Sequence, residues 1–304
     1  MSLEKLTKGG FSIGVELPLD NDWSVDGDSH RRIENRPFGV PDMKHHAERV
    51  QLADRLGFRA AWVRDVPIYD PHFGDAAQVF EIFTYLGYLA AQTKEILLGS
   101  AAVVLPLRNP WLVRKAAASV QALSNQRLML GVASGDRPSE YPIFDVEYDR
   151  RGELFIEAVQ VLEGLHDDKL AEGMAILPTE PAPPLLVAGL AQQTPQWAVE
   201  HMQGWLAYPG TPDDHKRRVA LWRSVAGNKP YVSFIHLDLI DQSHASVKRH
   251  CFGISTGIEG LIQELESMKA AGVDHIGLQF RRNQRPLDVT MHDIAEFVLP
   301  HFHN

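Results

Sequence analysis

Eight short apolar segments recur along the chain and restrict its possible folds more than any other feature. Most are continuous apolar runs, which is typical of strands covered on both faces in a parallel sheet. Segments with helical periodicity lie between them, and this alternation predicts an α/β fold, a single (β/α)8 TIM barrel over residues 1–304. The eight segments are residues 11–17, 60–65, 95–104, 128–134, 184–189, 204–209, 231–239 and 275–280.

An open, doubly wound sheet is the competing architecture, because it also alternates strands with helices. Such sheets usually carry a glycine-rich turn after the first strand. Here the first strand continues into Glu16-Leu17-Pro18-Leu19-Asp20, which is not such a turn. We therefore expect the closed barrel, with long loops at 18–40 and 240–257 that serve as pocket walls or lids.

Composition narrows the class of protein. The formal net charge of −9 argues against a nucleic-acid partner, which requires a basic surface. No apolar run reaches the roughly 18 residues of a membrane span, and the polar N-terminus does not resemble a signal peptide. The single cysteine, Cys251, fits a reducing compartment. We expect a cytoplasmic protein with no membrane contact.

Residues just after the strands of a TIM barrel are the functional candidates. No histidine and carboxylate spacing among them predicts a metal site, and the adjacent His45 and His46 point in different directions on a helix. The selected residues are Glu16, Asp65, Ala101, Ala102, 134–137, 189–194, Tyr208, His236, Asp238, Gln279 and Arg282.

Three late helices are predicted to begin at a threonine cap, and each offers free amides to an anion. The helix at Thr211 has two acidic residues in its first turn. Thr256 and Glu259 predict a capping box, which satisfies its own amides. The helix at Thr194-Pro195 has no acid in its first turn, so we expect the anion there. An ordinary capped helix, and a phosphate site near Gly253 and Gly257, are the alternatives.

The loop that follows the fourth strand is a second polar cluster. Gly135 permits a tight turn between Ser134 and the rest of the loop. Arg137 is suited to bind a phosphate or a carboxylate. The alternative is a surface loop with an ion pair between Arg137 and Glu140.

Several motifs, taken in order, resemble the bacterial luciferase-like flavin monooxygenases. They are LGSAAVVLPLRNP at 98–110, LSNQRLMLGV at 123–132, EYPIF at 140–144, RGE at 151–153, VAG at 187–189, QTPQWA at 193–198 and GWL at 204–206. The resemblance spans nearly the whole chain in the family's order. It implies a TIM barrel that binds a flavin, usually FMN, at the carboxyl ends of the strands.

The resemblance also assigns cofactor contacts. It implies a non-proline cis peptide at Ala101-Ala102 beneath the flavin ring, and a phosphate site at the turn 189–194, where our ranking of helices also places the anion. Ser134, Gly135 and Arg137 are the expected contacts from the loop after strand four. The residues expected at the phosphate are Gly189, Ala191, Gln192, Gln193 and Thr194.

The chain departs from bacterial luciferase at two positions. The reactive cysteine and the arginine after strand four correspond to Ala133 and Ser134, and the catalytic histidine after strand two corresponds to Val66. Aldehyde oxidation is therefore not carried over. We expect Asp65, His72 and Arg282 on the substrate side; the alternatives are an ion pair, a loop histidine and a surface arginine.

The resulting hypothesis is an FMN-dependent monooxygenase that acts with O2 on a small organic substrate, with reduced flavin supplied by a flavin reductase or by NAD(P)H. The alternatives are an F420-dependent dehydrogenase on the same fold and a flavin-binding protein without turnover. Family members often form homodimers, so a homodimer is the expected assembly.

Overall fold

A computed structural model describes residues 2–73 and 80–303, in which eight parallel strands close into a barrel. The last strand pairs with the first, His275 opposite Ser12, and also with the seventh, His275 opposite Val232. The predicted TIM barrel is thus confirmed. In order around the barrel, the strands are β1 (Ser12–Glu16), β2 (Ala60–Val63), β3 (Leu97–Ser100), β5 (Leu128–Ala133), β6 (Leu185–Ala188), β7 (Gly204–Leu206), β8 (Tyr231–Leu239) and β11 (His275–Gln279).

Three short strands lie outside this ring. The predicted strand 95–104 is interrupted at Ala101-Ala102 and resumes as β4 (Val103–Val104), which pairs with β5. The predicted loop 240–257 instead contains β9 (Lys248–His250) and β10 (Gly253–Thr256). β10 pairs with the second half of β8, which extends beyond its neighbours and so leaves backbone groups available for another strand.

A helix follows each barrel strand and covers the outside of the barrel. Two further helices are α1 (Ser2–Thr7) and α2 (Val25–Ile33). The sequence analysis predicted only a loop at 18–40. Ser24 instead accepts a hydrogen bond from Gly27 N and caps the start of α2 within this segment. The covering helices are α3 (His46–Arg55), α4 (Ile82–Gln92), α5 (Pro110–Leu123), α6 (Arg151–Leu162), α7 (Pro195–His201), α8 (Pro212–Ala226), α9 (Ile258–Ala270) and α10 (Leu287–Phe297).

Most of the predicted helix ends are confirmed. Asn109, Thr194 and Thr211 cap α5, α7 and α8 through their side chains. The capping box predicted at Thr256 and Glu259 is wrong, because Thr256 belongs to β10 and its hydroxyl donates to Ala245 O. Gly257 begins α9 instead, without a side-chain cap.

Successive strand residues alternate between two apolar clusters, as the period of two in a β-strand requires. One side packs against the helices and forms the larger cluster. The other side points into the barrel, where Trp62 and Phe234 meet edge to face at 5.8 Å. No helix among residues 2–73 and 80–303 is long and apolar enough to cross a membrane.

A buried polar chain lies at the amino-terminal end of the barrel. Trp62 Nε1 donates to His275 Nε2 at 2.9 Å, so the proton of this imidazole lies on Nδ1, which is 2.7 Å from Ser12 Oγ. Ser12 in turn donates to Leu6 O, in α1. Complete burial lowers the pKa of His275 well below its ordinary value and keeps the ring neutral. This series of hydrogen bonds therefore connects α1 to β1, β2 and β11.

We expect Ser12→Ala to lower the free energy of unfolding by about 1–3 kcal/mol, because it leaves the buried His275 N–H without an acceptor. Urea denaturation measures this change. Ser267→Ala is the matched control at an exposed helical position and should change stability by less than about 0.5 kcal/mol. Equal losses of stability for the two substitutions would contradict the stabilising role of these buried hydrogen bonds.

Candidate active site

Polar side chains occupy one half of the barrel mouth, the opening that the carboxyl ends of the strands surround. Glu16 lies opposite Trp62 in register and therefore points inward, and Arg64 follows Trp62 by two residues. Gln279 lies opposite His236, which continues the inward series of β8. These four polar residues lie near the mouth-side ends of the neighbouring strands β8, β11, β1 and β2, with Arg64 directly after β2 and His236 opposite the last residue of β11, and we call them the polar half.

Small side chains line the other half. Ala101, Ala102 and Ala188 pack against the inner cluster, and Ala133 ends β5 on the same side. The peptide between Ala101 and Ala102 is cis, as the resemblance implied. We call this region, at the neighbouring strands β3, β5 and β6, the alanine half. Its side chains are short and partly exposed, whereas the polar half presents functional groups.

Glu16 and Arg64 meet in the polar half, with Arg64 Nε 3.8 Å from Glu16 Oε1. Both side chains are mostly buried, with exposed fractions of 11% and 21%. The strand-end rule selected Glu16, but it selected Asp65 where Arg64 faces the mouth. Counting in steps of two from the buried Trp62 would have identified Arg64.

Asp65 points the other way, toward the helices. Its carboxylate accepts hydrogen bonds from Val104 N at 3.0 Å and from Arg108 Nη2 at 2.8 Å. Burial raises the pKa of Asp65, and the charge of Arg108 opposes this rise. Asp65 thus forms the ion pair that the sequence offered as the alternative, and it fixes the backbone beside the cis peptide.

The other two predicted substrate-side residues lie on the rim. The side chain of His72 is 93% exposed, and its Nδ1 is 3.3 Å from Asp70 Oδ1. Arg282 is also exposed, with its guanidinium carbon 5.3 Å from the centre of the Trp23 ring. The structure therefore brings Arg282 close to the mouth and leaves His72 in a surface loop.

Aromatic residues cover the polar half. Trp23 stacks on Phe38 at 6.0 Å and meets the His236 ring at 6.1 Å, and His236 meets Phe252 at 6.0 Å. This row joins the segment after β1 to the β9–β10 hairpin. The loops that follow these two strands thus act as pocket walls, although both contain secondary structure that the sequence did not reveal.

The loop after β5 holds its own polar groups. Arg137 Nη1 lies 3.6 Å from Glu140 Oε1, and its guanidinium carbon is 4.4 Å from the centre of the Phe73 ring. Gly135 has a φ of +82°, and a Cβ there would lie 2.5 Å from Tyr141 Oη. Tyr141 donates to Ser134 O. The alternative ion pair is thus present, and Ser134 faces Tyr141 through its carbonyl.

The turn 189–194 follows β6, and its residues Leu190, Gln192 and Thr194 are exposed whereas Ala191 is buried. Gly189, Ala191 and Gln192 have φ values of +58°, +48° and +66°. Non-glycine residues seldom adopt such values, and they are concentrated at functional sites. No acidic side chain in the described ranges bonds to this turn, and the amides of Ala191 and Gln192 find no acceptor there. The turn can therefore accept an anion.

Arg151 is the residue near this turn that sequence reasoning missed as a site residue. It begins α6, whose next residue, Gly152, accepts a hydrogen bond from Gln193 Nε2 at 2.9 Å. The guanidinium carbon lies 3.8 Å from the centre of the Tyr148 ring, and its Nε has no partner in the described chain. The sequence analysis used the motif 151–153 only for the resemblance. A positively charged residue in the first turn of a helix near the expected anion site could have identified Arg151.

A second groove and a search for metal ligands give no better candidate site than the mouth. A groove of about 790 Å³ lies at the amino-terminal end of the barrel and is lined largely by aliphatic and proline side chains. Across the described ranges, no three His, Cys, Asp or Glu side chains are arranged to hold a metal ion. The polar half, the alanine half and the turn 189–194 therefore define the candidate active site of a TIM-barrel protein that can bind an anionic cofactor.

Comparison with known proteins gives the family. Residues 23–247 match the model of the luciferase-like monooxygenases, and the chain belongs to this family. An uncharacterized protein of Mycobacterium tuberculosis is 30% identical over 159 residues, which cover 49% of this chain and 54% of that protein. The chain thus matches about half the length of this curated relative.

Two solved structures share the fold. An F420-dependent secondary alcohol dehydrogenase aligns with a TM-score of 0.72 and 18% identity, covering 97% of this chain and 99% of that one. The oxygenating constituent of 3,6-diketocamphane monooxygenase from Pseudomonas putida, in complex with FMN, aligns with a TM-score of 0.68 and 12% identity, covering 95% and 98%. Their names include both cofactors that the sequence suggested.

We expect Asp65→Ala to lower the free energy of unfolding by at least about 2 kcal/mol, because it leaves Arg108 and Val104 N without this partner. Denaturant unfolding measures the loss. Asp168→Ala, at an exposed position, should cost less than about 0.5 kcal/mol. If Asp65→Ala lowered the free energy of unfolding no more than Asp168→Ala does, the structural role that we assign to Asp65 would be wrong.

Proposed function

We propose that the chain is an FMN-dependent oxidoreductase of the monooxygenase type, which acts with O2 on a small organic substrate. The open turn 189–194 carries this proposal, because it presents backbone amides without a competing carboxylate. Reduced flavin would come from a flavin reductase or NAD(P)H. A homodimer is the assembly that we expect from the family.

The FMN phosphate would lie on the turn 189–194, against the amides of Ala191 and Gln192. Thr194 caps α7 with its hydroxyl, so its side chain holds the helix in place behind the phosphate. Arg151 supplies the positive charge from the start of α6. Arg137 would be a more distant contact, because it already pairs with Glu140.

The division of the mouth supports the placement of the flavin ring. The turn 189–194 directly follows β6, and β6 belongs to the alanine half. A planar ring that extends from the turn would lie over Ala101, Ala102 and Ala133, whose side chains leave space for it. When bound, reduced FMN supplies the electrons for the reaction with O2.

The polar half would then face the substrate. Glu16, Arg64, His236 and Gln279 present charges and hydrogen-bonding groups toward the interior, and the aromatic row from Phe38 to Phe252 limits access of water from above. Asp65 would act as a positioning residue for the backbone of Val104. Arg282 would act from the rim, and His72 is the least supported of the predicted substrate-side residues.

Binding of FMN by the purified chain, followed by flavin fluorescence, tests this proposal. We expect Arg151→Gln to weaken FMN at least about tenfold, equivalent to ~1.4 kcal/mol, because the phosphate loses its cation. Arg150→Gln is the matched control, since Arg150 is exposed and pairs with Glu153. Equal loss in the two variants, or no FMN binding by the native chain, would reject the assignment.

F420 is the second candidate cofactor, because similar proteins include F420-dependent dehydrogenases. Competitive titration with FMN and F420 separates the two. Tighter F420 binding, with electron transfer to F420 and no consumption of O2, would favour a dehydrogenase. FMN binding with O2 consumption at the free-flavin background for every substrate tried would favour a flavin-binding protein without turnover.

A further inference from the structure

Five buried side-chain atoms without a hydrogen-bond partner belong to two segments, residues 20–23 after β1 and residues 279–281 at the end of β11, which meet where Arg281 contacts Asp20 and Trp23. Buried polar atoms are almost always satisfied by protein, water or ligand. A concentration of exceptions at the mouth of a barrel therefore indicates a place that a ligand completes. The atoms, within the described part of the chain, are Asp20 Oδ2, Trp23 Nε1, Gln279 Oε1, Arg281 Nη1 and Arg281 Nη2.

Arg281 is the centre of this group. It is fully buried and lies two residues after Gln279, the last residue of β11. Its Nε donates to Asp20 Oδ1 at 3.1 Å, whereas its Nη2 lies 3.9 Å from Asp22 Oδ2, beyond hydrogen-bond distance. The outer N–H groups of the guanidinium are thus oriented by one acid and left available for another acceptor.

The local charge favours a monoanion. Asp20 and Asp22 are the carboxylates beside Arg281, and Arg36 bonds to both Asp22 and Glu34. With Arg49 acting on Asp20 and Arg282 nearby, four guanidinium groups stand against three carboxylates. One further negative charge is therefore stabilised, whereas a dianion such as a phosphate monoester would be repelled by both acids. A planar carboxylate also matches the fork of N–H donors of an arginine.

We propose that Arg281 and Gln279 bind the carboxylate of the substrate, so that the enzyme acts on small carboxylate-bearing organic molecules. This inference rests on the proposed function for the reaction but not for the binding itself. Trp23 lies 4.6 Å from the guanidinium carbon and covers it, so the ligand enters only when Trp23 moves. The Trp23 Nε1 proton then becomes available as a further donor.

This movement gives the binding a spectroscopic signal, because it changes the environment of an indole ring. The purified, flavin-free chain is titrated with benzoate and acetate and, as neutral partners of similar shape, with benzamide and acetamide. Tryptophan fluorescence and calorimetry follow the binding. We expect at least one carboxylate to bind at least tenfold more tightly than its amide.

Arg281→Gln should abolish this preference and leave the weak amide binding unchanged. Arg217→Gln is the matched control, because Arg217 is exposed on α8 and pairs with Asp214, which belongs to neither of the two segments. If Arg281→Gln fails to fold, Gln279→Leu is the second variant, and it should weaken the carboxylate several-fold. Far-ultraviolet circular dichroism of the same variants checks that the barrel is intact, and their FMN affinity is measured separately.

Equal binding of acids and amides, binding of neither, or a preference that survives both substitutions would overturn the inference. FMN binding without a carboxylate preference would reject this inference alone. A carboxylate preference in a chain that does not bind FMN would reject the flavin assignment and retain the carboxylate site. The two proposals are therefore separable.

Discussion

Pairing of the last strand with both the first and the seventh closes the sheet, and the position of every functional group depends on that closure. His275 lies opposite Ser12 on one side and opposite Val232 on the other. Closure brings eight carboxyl ends into one ring, so residues more than 200 positions apart in the sequence share one opening. It also forces strict alternation, because each side chain must point either into the barrel or toward the helices.

This alternation divides the mouth into two unequal halves. Inward-facing alanines lie at the ends of β5 and β6 and directly after β3, whereas inward-facing polar side chains lie at or near the mouth ends of β8, β11, β1 and β2. The turn 189–194 extends from the alanine half and can hold an anionic group, and the aromatic row covers the polar half. In the function that we propose, a cofactor and a substrate would occupy separate places on one ring, which is the arrangement that redox chemistry between two bound molecules requires.

The barrel, its helices and the turn at Thr194 could be predicted from the sequence, because they depend on local signals: apolar runs, caps and an acid-free first turn. The interior of the mouth could not. Asp65 was the more obvious candidate because it is an acid at a strand end. Side chains alternate along the strand, however, and Asp65 lies on the side that faces the helices, where it pairs with Arg108. Arg64 was overlooked for the same reason. Burial of Arg281 against Asp20 depends on a loop after β1 that meets β11, a contact between distant segments that no local pattern encodes.

In the function that we propose, the turn 189–194 binds the phosphate of a flavin. The ratio of the dissociation constants of riboflavin and FMN for the native chain tests it most directly, since the two ligands differ only in that phosphate. We predict a ratio of at least about 100, equivalent to ~2.7 kcal/mol, that falls as inorganic phosphate is added. Equal dissociation constants for the two flavins, unchanged by phosphate, would show that this turn does not bind the flavin phosphate.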